Sequence, residues 1–333
     1  MGAEKILVVG LGSIARRHIA NIRQLRPSTA IMVLRHREAV LPDAVAGQVE
    51  GVTTSVEDAL AWRPDAVLIT GPSSMHVASA IPFASCGAHI LIEKPLSGGM
   101  DDVPLLLDAC RQGGGVVMVA YNFRFSSSMR RFRQAASDGL AGSILHVRAE
   151  AGQYLPDWRP STPYRESVSA RRALGGGVLL ELSHEIDYVR WLGGEVTSVS
   201  AQLGKLSDLD LDVEDTADLL LTFADGATGQ LHVDMIQRKP ARYCKVIGSE
   251  GTLRWDGITG EVLFDRPGGA GTEVLHSAGG EDRNEMYVEE MKHFFACCDG
   301  RAEPQASGRD GAKVLEIIEA ARRSAQTGTR VTL

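Results

Sequence analysis

The first third of the chain alternates short apolar runs with longer segments in which apolar residues recur every three or four positions. The short runs are typical of buried strands, and the longer segments are typical of helices that cover a sheet. We predict strands at residues 6–9, 31–34, 66–70, 89–92 and 116–121, and helices at residues 15–25, 56–61, 77–86 and 103–112. This alternation indicates a parallel sheet built from βαβ units.

After about residue 122 the pattern changes, because the strands become longer and apolar and polar residues alternate along them. Such alternation is typical of an antiparallel sheet with one covered face. The Asp225-Gly226 pair between two of these segments predicts a tight hairpin. We predict strands at residues 143–151, 196–203, 216–223, 228–235, 242–247 and 330–333, and helices at residues 129–137, 179–191 and 312–324.

A glycine-rich turn joins the first predicted strand to the first predicted helix, with the sequence Gly10-Leu11-Gly12-Ser13-Ile14-Ala15. In a dinucleotide fingerprint of this form the first glycine makes the bend, and the second lets the backbone approach a pyrophosphate. The small third residue lets the helix pack on the strand. The amides at the helix start, including those of Ser13 and Ile14, can then bind phosphate. An ordinary glycine-rich turn is the alternative.

These patterns predict two domains in the 333 residues. Residues 1–122 are expected to form an NAD(P)-binding α/β Rossmann domain. Residues 123–333 are expected to form a substrate-binding and oligomerisation domain of the α+β class, with a mostly antiparallel open sheet. We expect a homodimer or homotetramer through that sheet, because residues 216–223 could give it a partly apolar outer face.

The segment after the second predicted strand bears on the choice of cofactor. An NAD enzyme usually places Asp or Glu roughly 20 residues after the fingerprint, but this chain has Arg35-His36-Arg37 there. A basic cluster can bind the 2′-phosphate of NADP through charge-assisted hydrogen bonds. We therefore predict NADP in preference to NAD; alternatively, Arg35 stacks on adenine or faces solvent.

Composition narrows the class of protein further. The formal net charge is −7, from 35 Lys and Arg against 42 Asp and Glu, which argues against a nucleic-acid partner. The first apolar run is too short for a signal peptide or a membrane span, so we expect a cytoplasmic protein with no membrane partner. The five cysteines lack zinc-ligand spacing, and we predict no metal.

Several further motifs occur in a fixed order along the chain. They are Arg17-His18 after the glycine turn, Thr70-Gly71-Pro72 with His76, Glu93-Lys94-Pro95, and Gly175-Gly176-Gly177 before a helix with His184 and Asp187. Together with the turn they resemble the Gfo/Idh/MocA family, which includes glucose–fructose oxidoreductase and inositol dehydrogenase. The resemblance extends over essentially the whole chain, as far as residues 248–253.

The resemblance implies an NAD(P)-dependent dehydrogenase or reductase. Such an enzyme transfers hydride between nicotinamide and a secondary alcohol of a sugar, sugar acid, inositol or nucleotide-linked sugar. Two alternatives stay open. One is a catalytically silent, cofactor-bound sensor or regulatory protein, because fold alone does not establish function. The other is a reductase of a non-sugar carbonyl.

The resemblance also implies the catalytic pair. In the family, the lysine at the position of Lys94 donates to the substrate hydroxyl and the nicotinamide ribose, and Lys94-Pro95 is a cis peptide. A cation beside that hydroxyl favours alkoxide character. His184 is the expected general base, since the ordinary pKa of an imidazole lies near neutrality. A surface lysine paired with Glu93 and a core histidine are the alternatives.

One position departs from the family pattern. The family commonly has Asp four residues before this histidine, whereas this chain has Leu180 there and Glu181 three residues before His184. Glu181 is therefore as well explained by a structural or indirect role as by a substrate contact.

The remaining site residues are assigned in two groups. The resemblance implies that Thr70, Pro72, His76, Glu93 and Lys94 contribute to the cofactor site, that Asn122 contacts the nicotinamide ribose, and that Arg124 binds substrate in the second domain. The segment 153–165 is unusually aromatic and basic. Flat rings can pack on sugar C–H faces and guanidinium groups can bind acids or hydroxyls, so we predict a substrate loop; packing against the first domain is the alternative. Its proposed contacts are Tyr154, Trp158, Tyr164 and Arg165.

Overall fold

The structure is a computed structural model that describes residues 3–38, 40–160, 162–277, 279 and 282–333. By their contacts the residues form two compact units. The first comprises Met1–Asn122 and Arg283–Ala312, and the second comprises Phe123–Asp282 and Lys313–Leu333. None of the described helices is long and apolar enough to cross a bilayer.

The described part of the first unit contains a parallel sheet of six strands, which we call the first sheet. Its strands are β1 (Lys5–Val9), β2 (Ala30–Leu34), β3 (Gly51–Thr53), β4 (Ala66–Ile69), β5 (His89–Glu93) and β6 (Val117–Ala120). Its helices are α1 (Ser13–Leu25), α2 (Asp43–Ala46), α3 (Val56–Ala61), α4 (His76–Ala84), α5 (Val103–Gly113) and, from the C-terminal segment, α9 (Glu285–Cys298).

The order of the first sheet is β3-β2-β1-β4-β5-β6. Strands β4 and β6 are buried along their whole length, as expected for a parallel sheet with both faces covered. The order reverses direction between β1 and β4, and ligands of such sheets bind outside the carboxyl ends of the strands at that point. The glycine turn after β1 lies at this position, so the predicted Rossmann fold is confirmed.

The C-terminal segment of the first unit differs from the predicted division at residues 123–333. Helix α9 packs against α1, and it buries Met291, Phe294 and Phe295. Its apolar face therefore belongs to the core of the first unit. This helix was not predicted from the sequence.

The described part of the second unit contains a sheet of nine strands, which we call the second sheet. Its order is β14-β13-β12-β11-β7-β10-β9-β8-β15. Its strands are β7 (Ile144–Gly152), β8 (Val196–Gly204), β9 (Thr216–Phe223), β10 (Thr228–Asp234), β11 (Ala241–Gly248), β12 (Gly251–Asp256), β13 (Val262–Asp265), β14 (Thr272–His276) and β15 (Val331–Thr332). Its helices are α6 (Ser127–Ser137), α7 (Val178–Glu181) and α8 (Ser183–Gly193), with most of α10 (Gly308–Thr327).

Pairing in the second sheet is mostly antiparallel, as predicted, and β7 with β10 is a parallel pair. The hairpin predicted at Asp225-Gly226 is confirmed: β9 and β10 pair in antiparallel register across it. Gly226 has φ +92, a left-handed conformation that an L side chain rarely adopts.

The helix predicted at residues 179–191 is divided in two at Leu182, which has φ −102 and ψ 35. Four apolar residues crowd this stretch, and all are buried: Val178, Leu179, Leu180 and Leu182. A continuous helix would spread them around its circumference rather than on one face. The break lets all four face the core, and α8 starts anew at Ser183.

The outer face of the second sheet is more polar than predicted. Along β9 the outward positions are Asp218, Leu220 and Thr222, and of these the apolar one is Leu220, 59% exposed. The outward residues of β10 opposite them are polar, including Gln230 and His232. The apolar contribution of residues 216–223 to this face is thus Leu220, because the other leucines of β9 alternate inward into the core.

His232 lies between two carboxylates on this face, and this arrangement is expected to make stability depend on pH. Nε2 of His232 lies 3.2 Å from Asp234 Oδ2, and Nδ1 lies 2.8 Å from Asp218 Oδ1. The hydrogen bond to Asp234, with that to Asp218, raises the pKa of His232 to about 9, although partial burial opposes the shift. The pair of carboxylates thus favours the charged imidazole.

Because the pKa of His232 is raised on folding, its contribution to stability is present below its unfolded pKa of about 6.5 and is lost as pH rises through about 9. We expect His232→Gln to lower the free energy of unfolding by about 1 to 2 kcal/mol near pH 6, allowing for solvent screening, and by much less near pH 10. Urea unfolding of both proteins at the two pH values measures this. An equal difference at both would contradict it.

Candidate active site

The glycine turn after β1 requires glycine at its first position. Gly10 has φ +94, and a Cβ there would lie 3.1 Å from Thr70 Oγ1 and 3.3 Å from the Gly71 amide nitrogen. The Gly10 amide donates to the Leu34 carbonyl at 2.9 Å. The turn is therefore held closely between the ends of β2 and β4, at the carboxyl edge of the first sheet.

The N-terminus of α1 is open. Gly12 is its N-cap, and among the described residues no side chain caps it; its first turn contains no acidic residue. Gly12 and Ser13 are exposed, and a Cβ on Gly12 would meet no described atom within 4 Å. Uncapped amides and the helix dipole favour an anion. The turn, with Ser13 and Ile14, therefore fits the diphosphate of a dinucleotide.

At the end of β2, Arg35 is half-buried, and His36 and Arg37 are exposed. The Arg35 amide donates to the Thr53 carbonyl at 2.9 Å, which fixes the backbone where the chain leaves the sheet. The basic cluster predicted from the sequence therefore starts from a fixed position next to the glycine turn.

The turn after β4 is tied to the turn after β5 by His76. Nε2 of this ring lies 2.9 Å from the Gly71 carbonyl and Nδ1 lies 2.8 Å from the Pro95 carbonyl. Burial lowers the pKa of His76. The ring thus holds the backbone of both turns, and its contribution to the cofactor site stays a prediction. Thr70 Oγ1 likewise donates to the Val9 carbonyl at 2.7 Å, and Pro72 begins the following helical turn.

Strand β5 ends at Glu93, and Lys94 follows it directly. The predicted cis peptide at Lys94-Pro95 is present. Glu93 Oε1 lies 2.7 Å from His18 Nε2, so its partner is that histidine rather than solvent. Lys94 is half-buried at the carboxyl edge of the first sheet, the edge that also carries the glycine turn.

Asn122 is buried at the end of the first segment of this unit. Its Oδ1 lacks a hydrogen-bond partner within the described ranges. A buried oxygen without a donor is costly, and a ribose hydroxyl would supply one. The site thus fits the nicotinamide ribose that the sequence analysis assigned to Asn122.

In the second unit, His184 lies on the first turn of α8 and is half-buried. The Phe123 ring contacts it edge to face, with centroids 5.1 Å apart. The Arg242 guanidinium lies 4.6 Å from the centroid of Phe123, and its Nε is 2.8 Å from the buried carboxylate of Glu185. Packing on one side thus fixes the imidazole. Phe123 and Arg242 were not predicted, because neither stands in a motif.

Arg124 forms a buried ion pair with Asp187. Its Nε and Nη2 lie 2.9 and 2.7 Å from the two carboxylate oxygens, and both side chains are 3% exposed. The guanidinium also lies 5.3 Å from the centroid of Trp191. Nε and Nη2 of the guanidinium are thus used by Asp187, and the role of Arg124 in substrate binding stays a prediction. The pair holds α8, which carries His184.

Breaking this pair should be costly. We expect Arg124→Met to lower the free energy of unfolding by about 3 to 5 kcal/mol, because the Asp187 carboxylate is left buried without its partner. The double variant Arg124→Met/Asp187→Leu should lose much less, since neither charge remains. Urea unfolding of the three proteins measures both effects. A double variant as unstable as the single one would contradict the expectation.

The proposed substrate loop is held by contacts within the second unit. Trp158 Nε1 donates to the Gln153 carbonyl at 2.8 Å, and Tyr164 Oη accepts from the Asp210 amide at 3.1 Å. Arg238 lies 3.7 Å from the Tyr154 ring centroid. Arg165 is 62% exposed, 3.5 Å from Asp210. These side chains are ordered by neighbours, and their contact with a substrate stays a prediction.

Glu181 ends α7 and is half-buried, three residues before His184. The non-helical Leu182 between α7 and α8 changes the direction of the chain there. Glu181 and His184 therefore lie on two separate helices rather than on the single helix predicted at residues 179–191. The chemical role of Glu181 remains a prediction.

One buried titratable group was missed by the sequence analysis. Glu290 on α9 is fully buried, and its helix packs on α1. Glu290 lies on the apolar face of α9, beside Met291 and Phe294. This placement could not be predicted, because the helix itself was not predicted. Across the described residues there is no group of three His, Cys, Asp or Glu side chains placed to hold a metal.

Two family models match the chain. Residues 4–121 match the model described as oxidoreductase family, NAD-binding Rossmann fold. Residues 129–254 match the model described as GFO/IDH/MocA C-terminal domain. Together they span most of both units.

Individual proteins match over nearly the full length. Myo-inositol 2-dehydrogenase of Thermotoga maritima is 26% identical, covering 99% of this chain and 98% of the relative. The 1,5-anhydro-D-fructose reductase of Ensifer adhaerens is 27% identical, with 96% of each chain covered. The structure of levoglucosan dehydrogenase in complex with NADH and levoglucosan superposes with a TM-score of 0.87, at 22% identity over 99% of this chain and 98% of the other. That last likeness shows a shared fold.

Proposed function

Because this chain belongs to the GFO/IDH/MocA family of oxidoreductases, we propose that it oxidises a secondary alcohol of a sugar, sugar acid, inositol or nucleotide-linked sugar, or reduces the matching carbonyl. Its relatives include dehydrogenases and reductases of sugars and polyols. They support NAD-dependent oxidoreductase activity in general rather than one particular substrate. The observation that carries the proposal is the half-buried Lys94 at the same sheet edge as the open N-terminus of α1.

The residues of the first unit would hold the cofactor. The amides at the start of α1 would bind the diphosphate, and Asn122 Oδ1 would accept a ribose hydroxyl. Glu93, His76 and Thr70 would keep the surrounding turns in place through their hydrogen bonds. When bound, the nicotinamide ring accepts or returns a hydride.

Lys94 would stabilise the substrate oxygen, and His184 would transfer the proton. As the C–H bond breaks and hydride leaves, the O–H bond also breaks, and the Lys94 ammonium stabilises the charge that develops on the oxygen. The proton passes to a ring nitrogen of His184, which acts as general base, and returns from it in the reverse direction. The proposal requires that both side chains act on one substrate oxygen.

A panel assay tests this function. The protein is mixed with NAD or NADP and with inositols, aldoses, sugar acids or nucleotide-linked sugars, and absorbance is followed at the reduced-nicotinamide band. We expect turnover with at least one member. Tight cofactor binding without turnover of any member would favour the catalytically silent sensor, and turnover of a non-sugar carbonyl alone would favour the other alternative.

The preference for NADP rests on Arg35. We expect Arg35→Ala to raise KM for NADP by about ten-fold, because a charge-assisted hydrogen bond to the 2′-phosphate is lost. KM for NAD should change by less than about two-fold, since that cofactor has no 2′-phosphate. Arg111→Ala, an exposed arginine on α5, is the matched control. Equal effects on both cofactors would contradict the preference.

A homodimer or homotetramer through the second sheet also stays a proposal. Leu220 and Ile247 supply exposed apolar groups on its outer face, among polar residues that could pair across an interface. Light scattering after size exclusion should give the mass of two or four chains, and a single-chain mass would contradict it.

A further inference from the structure

The first turn of α8 carries His184 and is anchored through the residue that follows it. Helix α8 begins at Ser183, directly after the non-helical Leu182, so no continuous helix before it fixes the direction of this turn. Glu185 is fully buried, and its Oε1 lies 2.8 Å from Nε of Arg242 on β11. Each side chain depends on the other for its position, because separating them would leave a buried carboxylate without its nearby cation.

The same guanidinium packs on an aromatic ring that contacts His184. Cζ of Arg242 lies over the Phe123 ring, 4.6 Å from its centroid, where the negative face of the ring attracts a cation. The Phe123 ring meets the His184 imidazole in a T-shaped contact, with centroids 5.1 Å apart. Contacts therefore run from Glu185 through Arg242 and Phe123 back to His184, the residue next to Glu185 on the helix.

The stem of Arg242 is confined by Gly257. The Gly257 amide donates to the Arg242 carbonyl at 2.7 Å, and a Cβ at residue 257 would lie 2.7 Å from Arg242 Cγ and 2.6 Å from Cη2 of Trp255. Trp255 in turn meets Phe123 in a T-shaped contact with centroids 5.7 Å apart, and its Nε1 donates to Ser128 Oγ at 3.0 Å. Close packing therefore holds both the arginine stem and the Phe123 ring in place.

We propose that Arg242, paired with Glu185, is a positioning residue for the proposed general base: its guanidinium holds Phe123 against His184 and so sets the direction of the imidazole. The inference rests on the proposed function of His184, and Arg242 acts through Phe123 without a contact to the substrate. A general base must lie within hydrogen-bond reach of the proton it takes, and a displacement of about 1 Å can cost on the order of 100-fold in rate. Without the guanidinium, Phe123 can tilt away, and the imidazole gains orientations that do not reach the substrate oxygen.

Two variants separate positioning from stability. Arg242→Met keeps most of the stem and removes the charge, and we expect kcat to fall on the order of 10- to 100-fold, with cofactor Kd nearly unchanged. The double variant Glu185→Leu/Arg242→Met should recover stability, since neither charge of the pair remains, but its kcat should stay low because the cation over Phe123 is still missing. Arg254→Met, on β12 and paired with Asp265 at 2.7 and 2.8 Å, is the matched control. A double variant with the kcat of the parent would overturn the inference.

The His184→Asn background shows which group Arg242 acts through. A residue that acts by positioning His184 has nothing left to position once the imidazole is replaced, so adding Arg242→Met should lower kcat by less than about two-fold further. A purely structural role would give the same loss in both backgrounds. That result would also overturn the inference.

Nuclear magnetic resonance reads the position of the imidazole without turnover. The Cε1–H signal of His184, identified by its absence in H184N, is shifted by the ring current of Phe123. In Arg242→Met and in the double variant it should move toward its position in Phe123→Leu, and in Arg254→Met it should stay. An unmoved signal in the double variant overturns the inference, and this comparison still decides if Arg242→Met alone does not fold. If the parent turns over no substrate, the proposed function fails, while the signal still reports whether Arg242 holds the imidazole.

Discussion

Replacing Lys94 with methionine is expected to lower kcat on the order of 10³-fold. Methionine has a similar length and no charge, so the change removes the ammonium while keeping most of the volume. The loss falls on kcat because the charge on the substrate oxygen develops as hydride leaves, and an interaction made mainly in the transition state raises the rate rather than the affinity. Pre-steady-state measurement of nicotinamide reduction would give the effect on the chemical step itself.

Two comparisons sharpen this expectation. Lys94→Arg keeps the positive charge but not the compact point charge of an ammonium, so it should restore little of the activity. Lys292→Met removes a lysine that is 52% exposed on α9, and its kcat should match the parent. A Lys94→Met enzyme within about three-fold of the parent would show that Lys94 is not in the chemistry.

The second large effect is expected for His184→Asn. The amide keeps a hydrogen-bonding group but cannot take a proton at neutral pH, so kcat should fall on the order of 10²- to 10⁴-fold. An imidazole is the side chain whose ordinary pKa lies near neutrality. The acidic limb of the pH profile of kcat/KM in the oxidation direction should therefore disappear in the variant.

His146→Gln is the matched control for His184. That histidine lies on β7 beside Thr228, in the second unit but outside the proposed site. Its pH profile should match the parent. If His184→Asn kept the acidic limb, another group would be the base. The double variant with Lys94→Met should lose much less than the product of the single losses, because residues that act as a unit are not additive.

Five of the six strands described in the parallel sheet could be predicted closely from the sequence, and the three-residue β3 (Gly51–Thr53) could not. The five are short apolar runs between clear helices, so residues 56–61 and 31–34 differ by at most one position from α3 and β2. The glycine turn was recognisable because its first glycine has a local steric cause, the approach of Gly10 to Thr70.

Other features depend on tertiary contacts that no local pattern contains. The break at Leu182 arises because four apolar residues must all reach the core. Helix α9 belongs to the first unit because its apolar face packs on α1, far away in sequence. A motif likewise names a residue without its partner: the Asp187 carboxylate beside Arg124 and the two backbone carbonyls beside His76 could not be predicted from the sequence.

The proposed chemistry requires that Lys94 and His184 both contact one substrate oxygen. A crystal structure of the protein with cofactor and a substrate found in the panel assay measures this directly. We predict that Lys94 Nζ and a ring nitrogen of His184 each lie about 2.6 to 3.2 Å from the reacting oxygen, or reach it through one water. A complex in which either group lies far from that oxygen would contradict the proposed chemistry.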